Sequence, residues 1–377
     1  MKIVLILIFW SLWFLNFSSR TVISPLLPII EDELAINHTL AGSLFLYVSV
    51  GFTISVFLSG IISKHIGYKR SIISGYIILV LVLICFRYVE TYFYFTIISF
   101  FIGLGSGIYL PCAVPLITSV FSRENWGKAI GFHETAASSN LLAVPIIVAF
   151  ALRHYHWKSF FIIISGACLI IIILFWMLAP NPRPQEGKSI KYISVLIRKD
   201  FWIITITWTI MAMATSGIYN IIPLFLVKEK GVELELANFI LGFSRVGGVL
   251  VMILTGFILD LYGVKKILLT VLLITGMSTA GIALTQATWL LVGMLFIQAA
   301  ISVGFFPAAI LTISKITRLE ERSTFTGLTM ATASIFGMGI GSVILGALAD
   351  RWNFRVGIII VGVLSALCCF LIKGLKE

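Results

Sequence analysis

Long apolar stretches, separated by short clusters of charged and turn-forming residues, dominate the pattern of this 377-residue chain. A helix needs about 20 predominantly apolar residues to cross a bilayer. Cutting the chain at its charge and turn clusters predicts twelve such helices. They lie near 3–27, 39–62, 71–86, 91–119, 129–151, 159–179, 201–227, 236–259, 267–285, 289–314, 323–347 and 356–373. Most connections are short, so we expect neighbouring helices to run antiparallel.

The composition agrees with this pattern, because 59% of the residues are hydrophobic and only 11% are charged. Soluble domains usually contain about 25% charged residues. A water-soluble fold of this length has too few polar side chains to cover its surface. We therefore exclude a cytosolic enzyme and a nucleic-acid-binding protein, and we expect the lipid bilayer to surround most of the chain. The five cysteines fall in apolar segments, which predicts neither a disulfide framework nor a metal or cofactor site.

The distribution of the basic residues indicates the membrane topology. Of the 27 Lys and Arg side chains, eighteen fall on the side that holds both predicted termini, and seven fall on the opposite side. The positive-inside rule then predicts cytoplasmic N- and C-termini in a multi-pass protein of the cytoplasmic (inner) membrane. The remaining two, Arg20 and Arg245, lie within predicted spans. The net charge of +11 is therefore a topology signal and does not indicate nucleic acid.

The chain contains an internal repeat. Its longest break, 180–200, predicts a cytoplasmic linker between an N-terminal six-helix bundle (1–179) and a C-terminal six-helix bundle (201–377). The halves align at an offset of 196 residues. This offset pairs Gly60 with Gly256, Gly67 with Gly263, Pro111 with Pro307 and Gly131 with Gly327. We therefore predict an all-α membrane protein built from two pseudo-symmetric bundles.

The first two matched glycine pairs bound a loop motif. Segments 60–70 and 256–266 resemble the sequence G-x-L-[AS]-D-R-x-G-R-[RK] of the major facilitator superfamily. The resemblance implies twelve helices, a substrate cavity between two bundles and transport by alternating access. It also implies gating roles for Gly60, Gly67, Gly256, Asp260 and Gly263. The first copy departs from the motif, because Lys64 and His65 stand where the family has Asp and Arg.

Three charged residues lie well within predicted spans: Arg20, Glu134 and Arg245. Each costs about 2.5–3.5 kcal/mol on insertion scales, so each needs a function or a partner. Arg20 shares one helix face with Asn16, and the glycines around Arg245 are expected to leave room for its guanidinium. One arginine per half, at similar depth, predicts a clamp suited to a carboxylate, sulfate, nitrate or phosphate. The other interpretation is that each arginine is a structural partner of helix-end carbonyls or of Glu134.

Two further segments carry a resemblance to a branch of the superfamily. The segment around Arg20 is similar to helix 1 of the anion:cation symporters, with Ser19 in place of their aspartate. Segment 103–111 is similar to helix 4 of that branch, with Ser106 where a glutamate often stands. Arginine in helix 8 also occurs in monocarboxylate carriers. These similarities imply an organic-anion substrate.

Glu134 and its neighbour His133 are the expected proton-coupling residues. Removal from water favours the neutral, protonated carboxyl, so a buried Glu can carry a proton during symport. A hydrogen-bonded structural acid is the other interpretation. The segment begins like the zinc motif H-E-x-x-H, but Ala137 replaces the second His, so no metal site is predicted.

Additional polar and aromatic side chains in the spans are candidates for substrate contact. The predicted substrate-binding set is Arg20, Arg245, Asn16, Tyr109, Tyr219, Asn220 and Gln298. Tyr47, Trp208 and Phe305 are weaker candidates.

We therefore predict a proton-coupled secondary transporter of a small organic anion, which acts as a monomer without cofactors. The principal alternative is a drug/proton or other small-molecule efflux antiporter. Helix 5 argues against it, because Pro145 lacks the surrounding glycines typical of that group. An intramembrane enzyme is disfavoured because no catalytic set converges. A channel or a transport-derived sensor remains a further alternative.

Overall fold

The structure is a computed structural model that describes residues 2–182, 192–248, 251, 259, 261–318 and 321–374. Every regular element in these ranges is helical. Two residues predicted to act in gating, Gly256 and Asp260, lie outside the described residues.

Eleven described helices are long and apolar enough to cross a membrane. They are α1 Lys2–Glu33, α2 His38–Ile66, α3 Tyr68–Tyr88, α4 Tyr92–Val120, α5 Arg123–Ala151, α6 Trp157–Leu178, α7 Lys199–Glu229, α9 Val264–Leu284, α10 Thr288–Ile316, α11 Thr324–Arg351 and α12 Phe354–Lys373. Helix α8 begins with Leu234–Phe243, at the position of the eighth predicted span. The third span, predicted as short, is longer at both ends than 71–86.

The helices expose apolar side chains on their outer faces. On α6, Ile170 is 65% exposed and Trp176 is 63% exposed. Large contiguous apolar surfaces are costly in water, whereas lipid tails solvate them without cost. The outer faces are therefore those of a membrane protein.

Breaks in two helices follow the internal repeat. Helix α4 is interrupted at Ile108, and α10 is interrupted at Val303 and Gly304. A proline has no N–H, so the carbonyl four residues before it loses its helical partner. Pro111 and Pro307 stand shortly after these breaks, at the offset found in the sequence. Both halves thus use one proline to interrupt the corresponding helix.

Two of the predicted gating glycines make tight turns. Gly67 has φ +85° immediately before α3, and Gly263 has φ +79° immediately before α9. Residues with a Cβ rarely adopt this left-handed region, which explains glycine at both positions. Gly60, by contrast, has open space around it, so a side chain could be accommodated there. A gating role for these glycines remains a prediction.

The chain forms two compact units. The first comprises Met1–Ile36 and Leu44–Glu186, and the second comprises Asn37–Ser43 and Gly187–Glu377. Each has its own apolar core. The core of the first unit includes Phe9, Trp13, Tyr76, Tyr109 and Phe175, and that of the second includes Phe201, Trp208, Phe305 and Phe325. The predicted boundaries 1–179, 180–200 and 201–377 remain a prediction.

Close approach of α4 to α2 requires glycine at position 103. A Cβ on Gly103 would collide with the backbone of Val48 and Phe52. We expect Gly103→Ala to destabilise the protein by about 1–3 kcal/mol, because two backbones must move apart. Thermal unfolding in detergent measures this as a lower melting temperature. Gly166→Ala is the matched control, since nothing lies within 4 Å of the added Cβ. Equal melting temperatures of the two variants would contradict the packing argument.

Candidate functional site

Arg20 lies in a cage of aromatic rings within the first unit. Its Cζ is 4.3 Å from the ring centroid of Phe17, 4.7 Å from that of Phe52 and 5.8 Å from that of Trp13. The residue is 9% exposed, and its Nε has no hydrogen-bond partner among the described residues. Those residues also place no carboxylate in an ion pair with it. The cage holds a cation but leaves part of its hydrogen-bonding capacity unused.

The energy balance of this arrangement favours a ligand. A desolvated cation–π contact is worth about 2 kcal/mol. A buried donor without an acceptor costs about 1–3 kcal/mol, and more when it carries charge. The rings therefore offset part of the cost of burying the guanidinium, but they cannot accept hydrogen bonds in the plane of its N–H groups. A planar anion supplies those acceptors.

The predicted polar face of α1 packs inside the first unit. Asn16 donates from Nδ2 to the carbonyl of Ser106 at 3.1 Å, beside the break in α4. Its Oδ1 is buried and has no partner among the described residues. Asn140 of α5 bonds to the other side of α1: its Nδ2 donates to Ser18 Oγ at 2.6 Å, and its Oδ1 accepts from Thr21 Oγ1 at 2.7 Å. These bonds hold α1 against α4 and α5.

A second polar group joins Glu134 to α4. His133 Nδ1 is 3.1 Å from Glu134 Oε1, and His133 Nε2 is 3.0 Å from the hydroxyl of Tyr109. That hydroxyl also donates to the backbone carbonyl of Phe9 at 2.9 Å. His133 is fully buried, whereas the Glu134 side chain is 35% exposed. A carboxyl group, an imidazole and a phenol therefore form one hydrogen-bonded chain.

The Trp13 ring is a neighbour of both the arginine and this chain. Its ring lies 5.8 Å from that of His133 at an interplanar angle of 11°, and 5.5 Å from that of Tyr109 at 16°. The Arg20 guanidinium lies over the same indole at 5.8 Å. The cation and the titratable chain thus share Trp13 as a common neighbour.

Arg245 of α8 has a simpler environment within the second unit. Its Cζ is 4.8 Å from the ring centroid of Tyr219 on α7. It is 8% exposed, and its Nε and Nη2 have no hydrogen-bond partner among the described residues. The structure therefore brings together two of the predicted substrate residues, Arg245 and Tyr219.

Two glycines beside Arg245, Gly247 and Gly248, pack against α10. A Cβ on Gly247 would meet Phe296 and Ala300, and a Cβ on Gly248 would meet Val303. These glycines admit α10 against α8, and the expectation that small neighbours leave room for the guanidinium remains a prediction.

Gln298 and Asn220 are engaged in helix-to-helix hydrogen bonds of the second unit. Helix α7 contains a π-helical segment at Met213–Gly217, and Gln298 Nε2 donates to the carbonyl of Ala214 there at 2.6 Å. A π-helical segment disturbs the regular backbone bonding, so side chains commonly satisfy its carbonyls. Asn220 Nδ2 donates to Ser342 Oγ of α11 at 3.0 Å. Substrate contact by either residue remains a prediction.

Comparisons with known proteins identify the family of this chain. The sequence profile described as Major Facilitator Superfamily matches residues 9–288 and 236–376. The chain belongs to this superfamily. The multidrug resistance protein MdtG of Salmonella typhimurium is 24% identical over 314 residues, which cover 79% of this chain and 77% of that protein. A TsgA homolog of Buchnera aphidicola subsp. Baizongia pistaciae is 22% identical over 369 residues, which cover 93% and 90%.

The fold is similar to solved transporters. The crystal structure of a D-xylose-proton symporter superimposes with a TM-score of 0.84 at 16% identity, covering 99% of this chain and 97% of that one. Membership establishes a twelve-helix, multi-pass membrane transporter of small molecules, consistent with the inner membrane, and not an enzyme. The predicted superfamily and the all-helical, twelve-helix fold are thereby confirmed, whereas the cytoplasmic location of both termini remains a prediction.

Sequence reasoning missed the aromatic partners of this major facilitator protein. Trp13, Phe17 and Phe52 surround Arg20, yet none was predicted to belong to the site. A signal existed for one of them, because Phe9, Trp13, Asn16 and Arg20 are spaced four, three and four residues apart and share a helix face. Nothing in the sequence indicates that Phe52 of α2 reaches this face.

Arg20 has no counter-ion among the residues that the structure describes, which predicts an unusual stability effect. Arg20→Met removes the buried charge and keeps an unbranched chain, so we expect the ligand-free protein to be equally stable or up to about 2 kcal/mol more stable. Arg355→Met is the control, because Arg355 Nε donates to Glu229 at 2.8 Å and its loss breaks an ion pair. Thermal unfolding in detergent compares the two. If Arg20→Met lowers the melting temperature as much as the control does, Arg20 is a structural residue.

Proposed function

We propose that this transporter carries a small organic anion, with a carboxylate as the preferred substrate. The observation that supports it is the state of Arg20 and Arg245. Each is more than nine-tenths buried, each faces an aromatic ring, and each keeps at least one guanidinium nitrogen without a partner in the described residues. A carboxylate matches the planar guanidinium in charge and in bidentate geometry.

Release of the substrate gives a reason for these unpaired cations. A cation that is permanently neutralised by a protein carboxylate binds anions weakly, because the ligand must displace the internal partner. An aromatic cage stabilises the empty cation moderately and leaves its N–H groups free for a ligand. Such a site can bind and release an anion repeatedly, as transport requires.

Coupling to protons follows from the position of Trp13 in this proposal. An anion bound at Arg20 adds negative charge near the indole of Trp13, and the ring of His133 lies 5.8 Å from the same indole. Negative charge nearby favours protonation of the His133–Glu134 pair. Anion and proton would then bind cooperatively, which is the requirement for symport.

Efflux of drugs is the second candidate function, and the relationship to MdtG favours it, since that protein is named for multidrug resistance. The aromatic residues around Arg20 could also contact an apolar compound. A buried cation disfavours the cationic compounds within that class, because like charges repel in a weakly polar environment. The two candidates thus predict opposite charge preferences.

Transport assays with arginine variants distinguish these candidates. In proteoliposomes, we expect uptake of labelled carboxylates but no transport of tetraphenylphosphonium. Arg20→Ala and Arg245→Ala should each reduce carboxylate uptake at least ~10-fold, because each removes a charge-assisted hydrogen bond worth about 1.5–3 kcal/mol. Arg→Lys variants should retain part of it. Exposed Arg87→Ala is the control. Wild-type transport by both Ala variants, or transport of the cation, would overturn the proposal.

Glu134 is tested by separating driven uptake from exchange. Glu134→Gln cannot release a proton, so we expect it to lose accumulation driven by a pH gradient while keeping anion counterflow. The control is Glu90→Gln, which alters an exposed acid outside the site. Gradient-driven uptake at the wild-type rate in Glu134→Gln would remove Glu134 from the coupling step.

A further inference from the structure

The hydrogen-bonded chain from Phe9 to Glu134 constrains where protons can be. Its four polar groups are joined by contacts of 2.9, 3.0 and 3.1 Å, with the phenol and the imidazole in the middle. Both central side chains are buried, so water cannot supply a missing donor. Each of these hydrogen bonds must therefore use a proton that one of the three side chains carries.

The first proton can be assigned at Tyr109. A backbone carbonyl only accepts hydrogen bonds, so the contact with Phe9 at 2.9 Å requires the Tyr109 hydroxyl to donate its single proton there. The same hydroxyl oxygen lies 3.0 Å from His133 Nε2. It has no second proton to give, so His133 must donate to it from a protonated Nε2.

The second assignment concerns His133 and Glu134. A neutral imidazole carries only one N–H, and Nε2 already holds it. His133 Nδ1 would then present a lone pair to Glu134 Oε1 at 3.1 Å, which is repulsive if the carboxylate is ionised. The contact is favourable only when one additional proton lies on Nδ1 or on Oε1.

We propose that His133 and Glu134 together hold one shared proton, and that Tyr109 is the positioning residue that keeps it there. The proton resides on Nδ1 as an imidazolium–carboxylate pair or on Oε1 as a neutral pair, and it can move between them without moving either side chain. Its role in coupling rests on the proposed function, whereas the proton count does not.

The surroundings of the pair contain few other titratable groups. Helix α1 contributes Trp13, whose ring also lies 5.8 Å from the Arg20 guanidinium, and α4 contributes Tyr109. Behind Tyr109, Tyr76 of α3 donates its hydroxyl to the carbonyl of Leu12. The exposed part of Glu134 is the route by which the proton leaves, because His133 itself is completely covered.

The second half of the repeat has no equivalent. At the offset of 196, Tyr109 corresponds to Phe305, His133 to Thr329 and Glu134 to Met330. Thr329 instead forms a hydrogen bond with Thr205 at 3.0 Å. The shared proton therefore belongs to the first unit alone.

Spectroscopy of the purified full-length protein tests the proton count without any substrate. At pH 7, nitrogen-15 NMR of labelled histidine reports the His133 ring, and infrared spectroscopy reports a protonated carboxyl of Glu134. His133→Gln and Glu134→Gln assign the two signals. We expect either an imidazolium His133 or a protonated Glu134. A neutral His133 protonated at Nδ1 beside an ionised Glu134 would overturn the proposal.

Tyr109→Phe tests the positioning role. Without the hydroxyl, Nε2 loses its acceptor, so His133 can adopt the neutral Nδ1–H form and donate to an ionised Glu134. We expect complete loss of the shared-proton signal at pH 7. Tyr76→Phe is the matched control, because it also removes a tyrosine bond to a carbonyl of α1 but should leave the signal intact. Persistence of the signal in Tyr109→Phe would remove the positioning role.

The outcome is independent of the transport assays. A shared proton observed in a protein that carries no anion would overturn the proposed function and leave this inference standing. Anion transport by a protein with a neutral His133 and an ionised Glu134 would overturn this inference alone.

Discussion

The first unit must accommodate a guanidinium that is buried among apolar helices. Arg20 cannot be solvated by lipid, and no carboxylate among the described residues neutralises it. Phe17, Phe52 and Trp13 surround it with ring faces, which stabilise positive charge without accepting its hydrogen bonds. The protein therefore keeps a cation that is tolerated but incompletely satisfied, and such a state suits a ligand that must bind and leave.

The same scarcity of water governs the backbone. Helices in lipid must satisfy their own carbonyls and N–H groups, so an irregular segment needs a side chain to complete it. Asn16 bonds to the carbonyl of Ser106 next to the break in α4, and Gln298 bonds to that of Ala214 in the π-helical part of α7. These amides join neighbouring helices at the points where regular bonding is lost. The buried polar side chains therefore compensate for the backbone hydrogen bonds that the irregular segments lose.

The two halves share a scaffold but not their chemistry. Gly67 and Gly263 make the same left-handed turn, and Pro111 and Pro307 follow the same interruption. These positions are set by backbone geometry, which both halves need. The titratable chain of Tyr109, His133 and Glu134 has only apolar or hydroxyl counterparts in the second half. The two halves are thus alike at positions that backbone geometry requires. They differ at positions that bind a proton or a ligand.

The sequence by itself determined the helices, the repeat, the turn glycines and the presence of charges in the membrane. These follow from hydropathy, from φ and from insertion energy, all of which are local properties of one segment. Only the tertiary structure decided that Trp13 is a neighbour of both Arg20 and His133, that the Tyr109 hydroxyl donates to the carbonyl of Phe9, and that Gly247 admits α10. Hydropathy shows that a helix face is buried but not which helix covers it. That choice depends on the rotation and packing of segments about a hundred residues apart, and it sets the direction of each hydrogen bond in the site.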